Sequence, residues 1–413
     1  MHPRIPSLPV ALAWSLAIIV ATGCASEAPQ SFEQQNGLLE AAAFDTAKEA
    51  FAEVEDATDG LGAHFNADSC AACHTAPGKT LPGGSSALTE LRAGHREASG
   101  AFVPAAGGTL ITLKALPGLT TEASALPDSE AVRDRFITPS LFGSGFVEAI
   151  ADSTLRAIAD EQSTSTGGRI RGLVLEVDVL EAPGKRAVGR FGWAGQHASL
   201  LSFSADAYKN EMGITSKLQP NDNTFFGTPV DDMVPDPEDA GGEFGEDVEL
   251  FAAFMRALSA PPRNLPADGA ARQVVDEGEK IFAAIGCGVC HRSEIVTAIA
   301  GSPTNGGALT VAKALGGKTI HPFGDFLLHD VGTGSAILRE GMPAETADKV
   351  RTAALWGLGT RLSHSEPLLH NGSATTLGEA ITRHAKSAAT ETAKFLALPE
   401  AERGKVLRFL QSL

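Results

Sequence analysis

The sequence predicts a mainly α-helical protein built from two related halves, and three observations support this fold class. A Cys-x-x-Cys-His motif occurs twice, at residues 70–74 and 287–291. Apolar residues recur at helical spacing before the second motif, whereas a convincing β pattern occurs only at 170–180. Similar segments, 138–145 and 352–359, follow the two motifs at similar separations, as in a duplicated domain.

The composition favours a globular protein of two or three domains. The chain has 413 residues, of which 43% are hydrophobic and 20% are charged. Its formal net charge of −17 argues against nucleic acid or an anionic membrane surface as a partner. A basic protein or a neutral small substrate fits this charge better.

Residues 1–23 predict a lipoprotein-type signal peptide. The apolar run at 10–21 is too short to span a bilayer and leads to Cys24, which would become the lipidated first residue of the mature chain. Ala21 stands where such signals usually carry Leu, so ordinary signal-peptide cleavage is the alternative. We therefore expect a periplasmic protein anchored to a membrane by lipid, with the outer membrane favoured and residues 24–40 as the linker.

The other four cysteines all belong to the two motifs. In such a motif, two thiols one helical turn apart can form thioethers to the vinyl groups of haem, and the adjacent His can bind the iron. A zinc site would need further ligands, and a thioredoxin-like dithiol would not require a His after both copies. We therefore predict two covalently bound c-type haems, attached through Cys70, Cys73 and His74 and through Cys287, Cys290 and His291.

The duplicated pattern predicts two cytochrome c-like domains, each with one covalent haem. The first spans 41–259 and the second spans 267–413, with a Pro-rich linker between them. The β pattern at 170–180 lies in an insertion at about 147–188, which enlarges the first domain.

Four stretches of the chain are more specific. They are GRFGW at 189–193, ADAYKNEMGIT at 205–215, DFLLHD at 325–330, and LHNG at 369–372 followed by TLGEAI at 376–381. In these stretches the chain resembles the di-haem oxidoreductases, which are related to the bacterial di-haem cytochrome c peroxidases and to the tryptophan-modifying di-haem oxidases. The resemblance covers nearly all of the mature chain. It implies two mainly helical cytochrome domains, with one haem that receives electrons and one, in the first domain, that meets peroxide.

The resemblance implies two catalytic residues. Glu211 matches the Glu that moves protons at the peroxide-binding haem, and Trp193 matches the Trp that lies between the two haems. A companion Gln of those enzymes falls near Phe203, so the second polar group of their pocket is missing here. The alternatives are a surface position for Glu211 and plain core packing for Trp193.

The resemblance also implies iron ligands. Counting from the Thr-Leu pair at 376–377 places His384 as the sixth ligand of the second haem, opposite His291, and an exposed helix position is the alternative. For the first haem, the sixth position is His95, Met212 or open.

Two functions follow as expectations. The first is an enzyme that reduces hydrogen peroxide, or uses it to oxidise a partner, with electrons passing from the C-terminal haem to the N-terminal haem. A small redox protein or a quinol-linked donor would supply those electrons. The second is a non-enzymatic di-haem electron carrier. We do not expect the calcium ion of the related enzymes, because Phe136 and Ile137 precede Thr138 where those enzymes carry an Asn.

Overall fold

The structure is a computed structural model that describes residues 25–75, 78–79, 81–85, 89–230, 234–239, 241 and 245–413. The predicted signal peptide and Cys24 lie outside these residues. Within them, no helix is both long enough and apolar enough to cross a membrane.

The prediction of a mainly α-helical fold is wrong. Of the described residues, 33% are helical and 16% lie in strands. These strands form seven sheets in the described part of the chain, and most strands have only two or three residues. A strand that short carries no readable alternation of polar and apolar side chains, so the sequence pattern did not predict it.

Twelve α-helices lie within the described residues. They are α1 (Ala41–Ala52), α2 (Cys70–Cys73), α3 (Glu122–Ala125), α4 (Ser144–Glu148), α5 (Asp152–Ser165), α6 (Leu200–Ala207), α7 (Asp247–Ala257), α8 (Gly269–Ala284), α9 (Leu358–Ser363), α10 (Leu377–Thr382), α11 (Ala389–Ala397) and α12 (Glu400–Gln411).

Seventeen strands accompany them in the same part of the chain. They are β1 (Ser26–Glu27), β2 (His64–Phe65), β3 (Thr89–Arg96), β4 (Phe102–Pro104), β5 (Leu110–Ile111), β6 (Lys114–Ala115), β7 (Val132–Ile137), β8 (Glu176–Asp178), β9 (Arg186–Val188), β10 (Thr224–Phe225), β11 (Thr228–Pro229), β12 (Ile295–Val296), β13 (Pro303–Thr304), β14 (Leu309–Thr310), β15 (Lys318–Ile320), β16 (Leu328–His329) and β17 (Val350–Arg351).

The largest described sheet has four antiparallel strands and lies in a region where no strand was predicted. Its central strand β3 pairs with β4 and β5, and along six residues with β7. Because side chains alternate along a strand, Glu90 and Arg92 share one face, while the buried Leu91 and Ala93 share the other. This alternation positions two charged side chains of the candidate site.

The predicted β insertion at about 147–188 is mostly not β structure. The helix α5 occupies its first part, and the β pattern at 170–180 yields only the three-residue strand β8, which pairs with β9. Val177 and Ala187 of this hairpin face a small apolar cluster with Leu175.

The two halves repeat one local geometry. An isolated antiparallel bridge joins Phe191 to His197, and an equivalent bridge joins Leu368 to Ala374. Three residues after each bridge a helix begins, α6 in the first half and α10 in the second, and each is capped by the hydroxyl of the preceding Ser or Thr. The segments 191–200 and 368–377, which align without gaps, therefore have the same local structure in the two halves.

The described residues contain two large hydrophobic cores. The larger contains α1, α4, α6 and α7, with the aromatic side chains Phe51, Phe146 and Phe254. The smaller contains α8 and α12, with Phe282 and Phe409. The two helices of the smaller core pack very closely, because a Cβ at Gly278 would lie 2.1 Å from the carbonyl oxygen of Lys405. The domain limits 41–259 and 267–413 stay a prediction.

A buried carboxylate joins segments from both halves. Glu148, at the end of α4, is 1% exposed and accepts hydrogen bonds from Arg256 (2.6 Å) and from the amide of Asn305 (2.9 Å). Although burial alone would raise its pKa, Arg256 holds the pKa of Glu148 below its usual range. Loss of one partner of such a pair typically costs about 3–5 kcal/mol of stability, so this contact fixes the framework around the site.

Candidate functional site

The second motif lies at the end of α8. A left-handed residue, Gly286, ends the helix, and the turn Cys287–Val289 leads directly to His291. Nδ1 of His291 donates to the carbonyl oxygen of Phe323 at 2.9 Å, which leaves Nε2 free to bind a metal. Burial lowers the pKa of His291 to about 4, so the ring is in the neutral form that a metal requires.

His384 faces His291 from the opposite side. It follows α10, and its Nδ1 donates to the carbonyl oxygen of Ala380 at 2.7 Å, so its Nε2 is also free. The ring centres of the two histidines are 6.5 Å apart. Two metal–nitrogen bonds of about 2 Å, with about 1.1 Å from each nitrogen to its ring centre, span roughly 6.2 Å. The pair therefore leaves room for one metal ion between the rings.

Both histidines line a cavity of about 370 Å³. The two thiols of the second motif, Cys287 and Cys290, line it as well, and its walls are largely apolar. Arg361, also in the wall, has a buried Nη2 without a hydrogen-bond partner among the described residues. A buried guanidinium nitrogen needs a hydrogen-bond acceptor, and the propionates of a haem would supply one. These features fit a haem at the second motif.

The first motif repeats these contacts. The thiols lie on α2, which is capped by the Ser69 hydroxyl, and Nδ1 of His74 donates to the carbonyl oxygen of Pro139 at 3.1 Å. Burial lowers the pKa of His74 to about 4. Phe51 lies 6.0 Å from the His74 ring with an interplanar angle of 55°, and Phe282 lies 5.9 Å from His291 at the same angle. The first motif thus presents the same proximal arrangement for a haem as the second.

The two sixth-ligand candidates for the first haem lie in different surroundings. His95 is half-exposed on β3, and its Nδ1 lies 3.0 Å from a carboxylate oxygen of Glu130. Met212 is 3% exposed and packs in the larger core. Its backbone carbonyl accepts a hydrogen bond from Gly62. Each side chain is therefore already engaged with other residues.

Glu211 lies on the π-helical turn Tyr208–Met212, which continues α6. A π turn widens the helix and is frequent at functional sites. Its half-buried carboxylate accepts from the amide of Asn66 at 2.7 Å. It lies close enough to Cys73 to contribute, after burial, to the raised pKa of that thiol. The structure thus brings Glu211 next to the first motif.

A second carboxylate, Glu90 on β3, is hydrogen-bonded to Glu211. Arg92 donates to Glu90 at 2.7 Å, and Arg339 from the second half donates to it at 3.0 Å. Although burial alone would raise it, these two cations hold the pKa of Glu90 well below its usual range. Burial and the negative charge of Glu90 raise the pKa of Glu211 well above its usual range. The pair therefore holds one proton, on Glu211.

Sequence reasoning missed Glu90, Arg92 and Arg339. The alternation of charges in TELRAGHR places the first two on one strand face, but a charged strand face usually points to solvent. Arg339 reaches the site only through the tertiary fold. Its guanidinium lies 4.8 Å from the ring of Phe136, and the adjacent Glu340 accepts from the Thr109 hydroxyl at 3.1 Å.

Trp193 lies in the wall of the cavity that contains His291 and His384. Its indole N–H donates to the carbonyl oxygen of Ile137 at 2.8 Å, and its ring centre is 6.2 Å from that of His370. Ile137 is two residues before Pro139, the acceptor of His74. Trp193 therefore lies between the cavity of the second motif and the segment whose Pro139 accepts from His74.

Phe203 lies near the place of the missing Gln. Its ring stacks on that of Phe191, with the ring centres 6.5 Å apart.

A buried polar cluster supports the second motif. Nε2 of His329 lies 2.8 Å from Asp325, and Nδ1 of His329 lies 4.0 Å from the sulfur of Cys290. Gln162 of α5 donates to Asp325 at 2.6 Å and also to the carbonyl oxygen of Val289. Since Cys290 belongs to the haem-binding motif, these groups serve to position that motif.

Two sites that each combine a thiol pair with an imidazole whose Nε2 is free define a haem-binding redox protein. A family model described as "Di-haem oxidoreductase, putative peroxidase" matches residues 122–413. The chain belongs to this family of di-haem oxidoreductases. The matched span includes the second motif and Glu211, and it begins after the first motif.

Other comparisons add little. No curated protein matches the sequence. Among solved structures, hydrazine synthase of Kuenenia stuttgartiensis aligns over 100% of both chains, with 14% sequence identity and a TM-score of 0.42. A likeness of this size supports no conclusion about function.

Proposed function

We propose that this protein is a periplasmic c-type oxidoreductase with two covalent haems, which reduces hydrogen peroxide or uses it to oxidise a partner. The observation that carries the proposal is the carboxyl group of Glu211, which accepts a hydrogen bond at 2.7 Å from Asn66, a residue just before the first motif, and lies next to the Glu90 carboxylate. Each bound haem supplies a redox-active iron, and the chain determines which iron peroxide can reach.

The duplication supports an open position at the first haem. Residues 191–200 correspond to 368–377, and continuing this alignment without gaps pairs His384 with Ala207. A methyl group at that place cannot bind iron. The second site is the opposite case, because His291 and His384 would both bind the iron of a haem held there and would leave no place for an external ligand. Peroxide therefore reacts at the first site, and the second transfers electrons.

Glu211 is placed to act as the acid–base group. Its carboxyl can accept the proton that peroxide gives up and return it to the departing oxygen, and such positioned groups typically contribute about 10²- to 10⁴-fold to a rate. Asn66 fixes one carboxylate oxygen, and burial and the Glu90 carboxylate raise the pKa of Glu211, so the ionised form that accepts the proton becomes more abundant as the pH increases. This pair takes the place of the Glu and Gln of the resembling peroxidases.

Electrons would enter at the second haem and reach the first past Trp193. The indole lies against the cavity of the second haem and bonds the segment that carries Pro139. A small redox protein or a quinol-linked carrier is the proposed donor, and the lipid anchor on Cys24 would keep the protein at a membrane surface in the periplasm. The donor and the anchor rest on the sequence alone.

The alternative is an electron carrier without enzymatic activity. The saturated His291–His384 pair and the apolar Phe203 in place of a Gln favour it. A comparison of Glu211→Gln with Glu49→Gln, an exposed position on α1, separates the two functions. The enzyme predicts that only Glu211→Gln slows the peroxide-induced absorbance change of the first haem, by about 10²- to 10⁴-fold. Equal rates in the two variants would contradict the proposed enzyme and support the electron carrier.

A further inference from the structure

Tyr208 is the only tyrosine of the chain, and it begins the π turn that carries Glu211. Its side chain is buried, with 3% exposed. The turn is bonded to the segment that leads into the first motif, because the backbone N–H of Asn66 donates to the carbonyl oxygen of Glu211 at 2.7 Å and that of Gly62 donates to the carbonyl oxygen of Met212 at 2.9 Å.

An aromatic path joins Tyr208 to the proximal ligand of the first haem. The ring of Tyr208 lies 5.0 Å from that of Phe251, which lies 6.1 Å from Phe51, and Phe51 lies 6.0 Å from His74. The corresponding path at the second motif runs from His291 through Phe282 and Phe409 to Phe323. Only the path at the first motif therefore ends in a phenol, which is far easier to oxidise than a phenyl ring.

The phenol also has acceptors for its proton. Its hydroxyl oxygen lies 3.2 Å from a carboxylate oxygen of Glu55 and 3.2 Å from one of Asp247. The phenolic proton can therefore move to a carboxylate oxygen that is already within hydrogen-bond distance. Loss of an electron alone would leave a cation in an apolar core, whereas loss of an electron with a proton leaves a neutral radical.

We propose that Tyr208 is a redox-active residue that reduces the first haem by one electron after hydrogen peroxide has oxidised that haem. The phenolic O–H bond breaks, its proton forms a new O–H bond on Glu55 or Asp247, and its electron goes to the oxidised haem. The products are a neutral tyrosyl radical and a haem reduced by one electron. This residue draws the oxidising equivalent away from the haem when no electron arrives from the second haem. The inference rests on the proposed peroxide reaction.

The single tyrosine makes the test direct. Fully oxidised holoprotein is mixed with hydrogen peroxide, frozen within milliseconds to seconds, and examined by electron paramagnetic resonance, while a parallel sample is followed by absorbance. The protein is prepared with ordinary and with ring-deuterated tyrosine, which labels only Tyr208. We expect a radical signal that narrows on deuteration and disappears in Tyr208→Phe, while the absorbance change of the haem persists.

Two further variants test the proton acceptor. Glu55→Gln removes a carboxylate that bonds Tyr208 and should reduce the radical signal, whereas Glu49→Gln, at an exposed position of α1, should not. A haem response without a radical, or with a radical that deuteration does not narrow, overturns the inference but leaves the proposed peroxide reaction intact. Absence of any haem response to peroxide overturns both. The labelled wild-type protein gives this answer even if Tyr208→Phe fails to fold.

Discussion

The imidazole rings of His291 and His384 face each other with their centres 6.5 Å apart, and Nδ1 of each ring is bonded to a backbone carbonyl. The carbonyl bonds fix the tautomer and aim both Nε2 atoms into the same cavity. This geometry is what an iron with two histidine ligands requires. It distinguishes the second site from the first, where Ala207 occupies the place that corresponds to His384.

Replacement of His384 by Ala should open the second haem. We expect one of the two haems to change from low spin to high spin and its reduction potential to rise, since histidine on both sides of the iron favours a low potential. Absorbance and low-temperature electron paramagnetic resonance report the spin state. His321→Ala is the control, because that His lies at the surface against Glu27. A low-spin spectrum that persists in His384→Ala would assign the ligand to another residue.

The number of covalent haems is a second prediction. A pyridine haemochrome assay should give two haems per chain, and replacement of both Cys70 and Cys73 by Ala should leave one. The corresponding pair of changes at Cys287 and Cys290 should leave the other. One haem in the wild-type protein, or tightly bound zinc, would contradict the assignment of both motifs.

The carboxyl pair predicts a pH effect. Burial and, after it, the negative charge of Glu90 raise the pKa of Glu211, so Glu90→Gln should remove the second contribution and lower that pKa. Proton abstraction from peroxide needs ionised Glu211, so the rate of the peroxide reaction should increase with pH. In Glu90→Gln the midpoint of this increase should lie at a pH about one unit or more below that of the wild-type protein. Stopped-flow rates of the peroxide reaction between pH 5 and 10 measure the shift. A superimposable profile would show that Glu90 does not control Glu211.

Glu90→Gln also removes the carboxylate that Arg92 and Arg339 both bond. We therefore expect it to lower the unfolding temperature. Glu340→Gln is the matched control, since Glu340 bonds Thr109 in the same network without contacting Glu90. If Glu340→Gln lowers the unfolding temperature but keeps the wild-type pH profile of the peroxide reaction, the shift of that profile in Glu90→Gln comes from the lost charge and not from the lost stability.

The local features of this protein could be predicted from its sequence, whereas contacts between residues distant in the chain could not. The two motifs are local, so Cys70 to His74 and Cys287 to His291 need no knowledge of the fold. His384 was predicted by counting from the Thr-Leu pair at 376–377, in a segment that resembles the di-haem oxidoreductases. In the structure its ring faces that of His291. The Glu90–Arg339 contact joins residues distant in the chain, and no local pattern marks it. The fold class was wrong because most of the described strands are too short to show alternation.

Trp193 is predicted to act between the haems and not in the reaction with peroxide. Trp193→Phe removes the indole and its hydrogen bond to Ile137 while it retains an aromatic ring. We expect the first absorbance change with peroxide to keep its rate and the oxidation of the second haem to become slower. Trp356→Phe, in the wall of the same cavity, is the comparison. Equal effects of the two substitutions would assign Trp193 to packing.

The most direct test of the account is the reaction of the wild-type protein with one equivalent of hydrogen peroxide when only the second haem is reduced. We expect the absorbance of the first haem to change first and oxidation of the second haem to follow, with peroxide consumed. If neither haem responds and peroxide remains, the protein is not a peroxide-dependent oxidoreductase, and the electron-carrier alternative holds.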